Sequence, residues 1–435
     1  MVALSFMITA LILRRADKEP EGLRVDLLAL PAFRWLGHSV VHAGIETLSL
    51  FLFGLILAAC FLGAQGPFDN IAPTFVWVVW WVGLAFFSAL VGNLWDLVNP
   101  WGILFGWFER LRRHQALPRP YPRWLGYWPA VLLFLCFVWM ELISEAVETP
   151  RNLGLAIVAY SLTTWAGMAL FGRQAWLRHG EVFTVVFGLL ARFAALNGED
   201  GRFWLRCPSI GLLVRKPVPL SYVVFVLLLL TSVTFDGILE TPLWQSILEW
   251  ISHSQVLRPG LLSLQQAGID LLIAIKSIAL VILPAIFLSA FLITCWLIGR
   301  FGGARLKLVE LSGWFVLSLV PIAIAYHLSH YLSYLLIAGQ NIIPLASDPF
   351  GVGWDLFATR TYRLDIGIVN AKMVWYVAVI AIVAGHVMAV YLAHVMALRV
   401  FPSTRKALVS QLPMMALMVG YTMVSLWILS QPIVA

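Results

Sequence analysis

The sequence predicts an all-α, polytopic transmembrane helix bundle, and three observations carry that prediction. Of the 435 residues, 61% are apolar and 12% are charged, against roughly 45–50% and about 25% in a soluble domain. Apolar runs near the roughly 20 residues that cross a bilayer core recur along the whole chain. Lys and Arg sort into alternate loops, as expected when basic residues stay on the cytoplasmic side. About ten spans follow, near 1–13, 39–64, 74–97, 127–147, 154–171, 219–236, 269–299, 312–336, 372–398 and 408–433. The loops at 14–38, 98–126, 172–218, 300–311 and 399–407 hold 23 of the 29 Lys and Arg residues. The opposite loops hold Arg151, Arg258, Arg360, Arg363 and Lys372, while Lys276 falls inside a span. The expected arrangement is one integral domain, 1–435, in a bacterial inner (plasma) membrane, with basic loops cytoplasmic and both termini outside. The net charge of +7 then anchors topology and argues against nucleic acid as a partner. The lipid bilayer is the expected partner, with other membrane subunits as an alternative.

Each element has its own reason. "MVALSFMITALIL" (1–13) is short for a crossing of about 30 Å, so it reads as a truncated span or an interfacial anchor, the latter giving nine spans. "NPWGILFGWFERLRR" (99–113) predicts an interfacial helix, with Pro just inside its start and Arg at its end, where the helix dipole favours cations. The longest segment between spans, 172–218, has 47 residues. Its "GEVFTVVFGLLARFAALNG" (180–198) predicts a second interfacial amphipathic helix. The long run 269–299 contains Pro284, which predicts a tilt or kink. The Gly-, Pro- and Asp-rich loop 338–371 reads as an ordered lid. Cys60, Cys136, Cys207 and Cys295 show no CxxC spacing, and three lie in apolar runs, where a thiol behaves as a small hydrophobe.

Ionisable residues within spans cost at least about 2.5–3.5 kcal/mol each at the centre on insertion scales, which makes them functional candidates. "AYHLSHYLSYLL" (325–336) places His327 about 22 Å along its span, with His330 one turn further on the same face. Glu141 and Lys276 lie about 9–10 Å below the outer ends of their spans. Asp236 ends another span at the outer surface, and His386 sits nearer the midplane. Two His three residues apart, with carboxylates from neighbouring helices, is a pattern used for metals in helix bundles. Imidazole plus carboxylate suits a transition metal such as copper or zinc. The expected ligand set is His327, His330, His386, Glu141 and Asp236. Interhelical hydrogen bonding, with Tyr326, Tyr331 and Tyr334 nearby, is the structural alternative, and a proton or substrate relay is the third. Lys276 is expected to pair with Glu141 or Asp236, or to bind an anion. On the inner side, His38, His42 and Glu46 fall four apart on one helical stripe. With His394 they form an ion-pair or proton-relay candidate, or simply snorkel to the interface.

Several segments, in order along the chain, resemble bacterial polytopic membrane proteins labelled fenitrothion-hydrolase-like. These are "VGNLWDLVNPW" (91–101), "MELISEAVETPRNL" (140–153), "HGEVFTVVFGLLARFA" (179–194), "SVTFDG" (232–237), "AYHLSHYLSYLLIAGQ" (325–340), "SDPFGVGWDLF" (347–357) and "GHVMAVYLAH" (385–394). The resemblance implies a polytopic helical fold, and its label implies hydrolysis of organophosphate triesters; it carries no catalytic residues over. Three functions are therefore expected in turn: binding or transport of a transition metal, a metal-dependent membrane-embedded hydrolase of apolar phosphotriesters, and a non-catalytic subunit of a larger membrane complex.

Overall fold

Helices follow the apolar runs. The computed structural model describes residues 24–111, 118–303 and 305–431, and the expected first span at 1–13 lies outside them. In chain order the main helices are α1 (Ser39–Leu62), α2 (Ile71–Leu90), α3 (Pro100–Leu111), α4 (Trp128–Leu142), α5 (Pro150–Phe171) and α6 (Val182–Ala191). They continue with α7 (Leu220–Leu239), α8 (Leu271–Gly302), α9 (Leu308–Ser347), α10 (Ala371–Val400) and α11 (Thr404–Ser430).

Among the described residues, eight of these are long and apolar enough to cross a membrane, not ten. The expected span 127–147 is the shorter α4, of 15 residues. It stops because a separate 3₁₀ turn, Glu145–Glu148, follows at its end.

Burial sorts the helices into centre and periphery. In α7 and α9, 78% of the most apolar window is buried, against 17% in α1 and 22% in α8. A helix apolar all round can face protein or lipid, so periodicity alone does not distinguish the two. Small residues permit the closest contacts, as in other membrane bundles. A Cβ on Gly385 of α10 would meet Ala325 Cβ at 2.6 Å and the Pro321 carbonyl oxygen at 2.7 Å on α9. Nearby, Ser329 of α9 donates to the Ala378 carbonyl of α10 at 3.1 Å.

α6 corrects one expected interfacial helix. Its eight residues Val182, Phe183, Val185, Val186, Phe187, Leu189, Leu190 and Ala191 are all buried. Thr184 is the one polar side chain of this ten-residue helix and its hydroxyl is committed to Glu181, so the helix has no polar face with which to lie on a membrane surface and inserts among α2, α4 and α9. α3 inserts only in part: Pro100, Trp101, Gly102 and Gly106 are buried, whereas Trp107, Phe108 and Leu111 are exposed.

A small antiparallel sheet, of order β1 (Val25–Asp26), β3 (Arg202–Leu205), β2 (Leu196–Glu199), lies beyond the basic ends of the helices. Its register pairs Val25 with Leu205, and Leu196 with Leu205 on the other side. At the opposite end, the loop after α9 is ordered. Asp348 accepts from the Val352 and Gly353 amides at 3.0 and 2.7 Å, and Ala64 donates to the Phe350 carbonyl at 2.7 Å.

Candidate functional site

A cavity of about 850 Å³ opens between α2, α4, α7 and α9. α7 delivers Asp236 to it, one turn before the helix ends, and Gly237 follows immediately. A Cβ at Gly237 would lie 2.7 Å from the Tyr326 hydroxyl, so the glycine lets α7 and α9 approach where the acid must reach across. α9 delivers His330 and Tyr331, neighbours in sequence. Asp236 Oδ2 accepts from both: His330 Nε2 at 2.9 Å and the Tyr331 hydroxyl at 2.5 Å. With Nε2 donating to the carboxylate, Nδ1 is the imidazole's remaining lone-pair nitrogen.

The wall carries three further acidic residues. Glu141 from α4, Glu148 from the following turn and Glu240 at the end of α7 join Asp236 in the lining, and none of the described lining residues is Lys or Arg. Burial raises the pKa of Glu240, which lies just past its span; His330 opposes the rise and Asp236 adds to it.

Three of the five expected ligands therefore line one cavity: His330, Asp236 and Glu141. His327 lies deeper, against Phe86, Trp81 and Tyr331, with ring centroids at 5.3, 6.3 and 4.8 Å. Its Nε2 is buried without a hydrogen-bond partner, as is Trp81 Nε1. His386 points elsewhere. Its Nδ1 lies 2.7 Å from the Ile382 carbonyl oxygen of its own helix, and its ring sits 6.1 Å from that of Tyr421. The i, i+3 spacing is thus real, but its two rings serve different environments. Among the described residues, no three His, Cys, Asp or Glu side chains are gathered closely enough to hold a metal ion.

Lys276 corrects a second expectation. It is half-buried on α8 and forms no ion pair among the described residues, while the adjacent Ser277 accepts from Trp139 Nε1 at 2.7 Å. The expected inner stripe is also broken. His38 sits outside α1 as its N-cap, His42 faces a different cavity, and His394 is buried with Nδ1 2.9 Å from Gln411 Nε2. Glu46 lies on α1 with no ion pair among the described residues.

Glu181 is the residue that sequence reasoning missed. It is fully buried as the N-cap of α6. Its carboxylate accepts from the amides of Phe183 and Thr184 at 3.1 and 2.7 Å, from Asn99 Nδ2 at 3.1 Å and from Trp95 Nε1 at 3.3 Å. The Tyr160 and Thr184 hydroxyls also donate to it. An acid directly before a nearly continuous apolar run was the available signal, since helix N-termini favour acceptors and negative charge. With so many donors and no opening to the acidic cavity, Glu181 ties α3, α5 and α6 together.

Comparison with family models, with curated proteins and with solved structures finds no match to this chain.

Proposed function

We propose that this integral membrane protein binds and transports a transition-metal cation, copper or zinc, taken from the outer side into the acidic cavity. The observation that carries the reading is the Asp236–His330–Tyr331 cluster set in a wall of carboxylates without a facing Lys or Arg. Such a wall attracts cations, and its low-dielectric sides strengthen that field. Imidazole beside carboxylate suits a transition metal. His330 Nδ1 is the imidazole's free donor, with the carboxylates of Asp236, Glu141 and Glu240 as further donors on the wall. So few donors suit an ion that must leave again, because conduction needs binding strong enough to admit and weak enough to release. On this reading the acidic end faces outward and the basic loops lie in the cytoplasm of a bacterial inner membrane.

A second reading is favoured by one feature of the same cluster. Asp236 orients His330, as an acid orients a general base in hydrolytic sites, so a membrane-embedded hydrolase of apolar phosphotriesters shares these residues.

The test is titration of purified protein with Zn²⁺ or Cu²⁺, following heat of binding and unfolding temperature. Saturable binding that weakens at least tenfold in His330→Ala supports the metal reading. No binding of either ion, or equal binding by the variant, overturns it. Turnover of an aryl phosphotriester that is lost in His330→Ala moves the assignment to the hydrolase.

A further inference from the structure

A second cavity, of about 1570 Å³, lies at the other end of α2 from the acidic one. It brings six arginines together from distant parts of the chain: Arg24 before β1, Arg192 after α6, Arg202 and Arg206 around β3, Arg215 ahead of α7 and Arg399 near the end of α10. Asp96, Glu199 and Asp200 are the carboxylates in the same wall, so positive charge exceeds negative. Among the described residues, none of Arg24, Arg192, Arg202, Arg206 and Arg399 forms an ion pair.

Neutral groups hold four of these arginines. Arg206 is buried and donates to the carbonyls of Ala191, Ala194 and Arg192 at 3.0, 3.3 and 3.3 Å. Arg399 donates to the Val214 carbonyl at 3.3 Å. Arg192 lies over the Tyr222 ring at 5.9 Å and Arg202 over Trp204 at 5.6 Å. Carbonyls and rings fix a guanidinium without cancelling its charge. The crowding is visible in Arg206, whose pKa is pulled down by burial and by Arg24, with Arg192 adding and Glu199 opposing. Like charges held together in excess are stabilised by an anion, and guanidinium groups match phosphate in a bidentate fork.

The basic cavity adjoins an apolar one. Ile45, Phe87 and Leu94 also line an apolar slot of about 740 Å³ between α1, α2, α4 and α5. Polar side chains in the slot are already committed. Ser49 donates to the Val98 carbonyl, Thr163 to the Ala159 carbonyl at 2.9 Å, and Tyr160 to Glu181. The basic cavity therefore favours a phosphate, and the slot beside it favours hydrocarbon.

We propose that the two adjoining cavities form a binding site for an anionic phospholipid, with its phosphate among the arginines and an acyl chain in the apolar slot. Basic pockets between helices are a known means of holding such headgroups, and here the slot adds a demand for the chain. A soluble phosphate satisfies the arginines but not the slot, and a zwitterionic lipid satisfies the slot but less of the charge.

Delipidated full-length protein in detergent is titrated with phosphatidylglycerol, with phosphatidylcholine and with inorganic phosphate. Unfolding temperature is followed, and bound lipid is counted by native mass spectrometry. Phosphatidylglycerol is expected to bind at least tenfold more tightly than phosphatidylcholine, and phosphate to leave the unfolding temperature unchanged. Arg192→Gln combined with Arg399→Gln is expected to weaken phosphatidylglycerol at least fivefold. Ala159→Phe, at an exposed position that lines the slot, is expected to weaken it without altering the fold. Equal binding of the two lipids overturns the proposal, and so does a phosphate shift matching that of phosphatidylglycerol. Unchanged phosphatidylglycerol binding in Ala159→Phe overturns the role of the slot. If the double arginine variant does not fold, the wild-type comparison and Ala159→Phe still decide.

Discussion

At one end of the bundle four carboxylates gather on helices and helix ends; at the other, six arginines gather mainly on loops, a hairpin and helix termini. The acidic group is organised around a hub, because Asp236 within its span is satisfied by a histidine and a tyrosine. In the basic group carbonyls and rings position Arg192, Arg202, Arg206 and Arg399 one by one. The difference follows from depth. A charge inside hydrocarbon must find its partners within the bundle or cost several kcal/mol, whereas a guanidinium at the membrane surface can keep its charge and still be held by neutral groups. Between them Glu181, buried under many donors, is charge used purely for construction.

The largest expected effect removes that shared construction. Glu181→Ala leaves several buried donors unmatched at about 1–3 kcal/mol each. It should cost at least about 3 kcal/mol of stability, measured by unfolding in detergent, and weaken both ends together. An effect confined to one end breaks the picture of a common support.

Asp236→Ala separates the two ends. It orphans the Tyr331 hydroxyl and the His330 N–H, costs about 1–3 kcal/mol, and should lower metal affinity while leaving lipid binding at the basic end unchanged. Gly385→Val is expected to have a similar cost by overpacking, about 1–3 kcal/mol, because it meets Ala325 Cβ and backbone on α9. Since α9 carries His330, metal affinity should fall in this variant although Gly385 lines neither cavity. Tyr331→Phe removes a single donor and should cost about 1 kcal/mol, read from the same unfolding curves.

The smallest effect belongs to the basic end. His179 stacks on Tyr121 at 5.1 Å between ring centroids, and burial lowers its pKa. The unfolded chain therefore takes up a proton at a pH where the folded chain still excludes it, so stability falls as pH drops through the ordinary histidine range. His179→Phe should flatten that slope in unfolding curves collected across the range.

The stretches that build these regions were visible in the sequence before their partners were. "MELISEAVETPRNL" supplies Glu141 and Glu148, "SVTFDG" supplies Asp236, and "AYHLSHYLSYLLIAGQ" supplies His330 and Tyr331, all on one cavity wall. Depth along each helix placed His327 and Lys276 in the outer half and His386 nearer the midplane, but depth alone cannot say which side chains meet. Rotation about the helix axis decides which side chain meets which neighbour. His327 turns into aromatic rings, His386 bonds its own helix, and Lys276 stays on the outer helix α8. For α6 the sequence read as an amphipathic interfacial stretch, while its nearly continuous apolar run called for burial.

By itself the sequence determined that the chain is an all-α membrane bundle and roughly where its long helices run. Hydrocarbon solvation fixes those features, since it acts on each run of residues independently. Only the tertiary structure decided which of the ionisable residues meet: Asp236 with His330 and Tyr331, Glu181 with its ring of donors, and six arginines around one cavity. Those meetings depend on helix rotation, close glycine contacts and a returning hairpin, which couple residues far apart in the chain and leave no local signature.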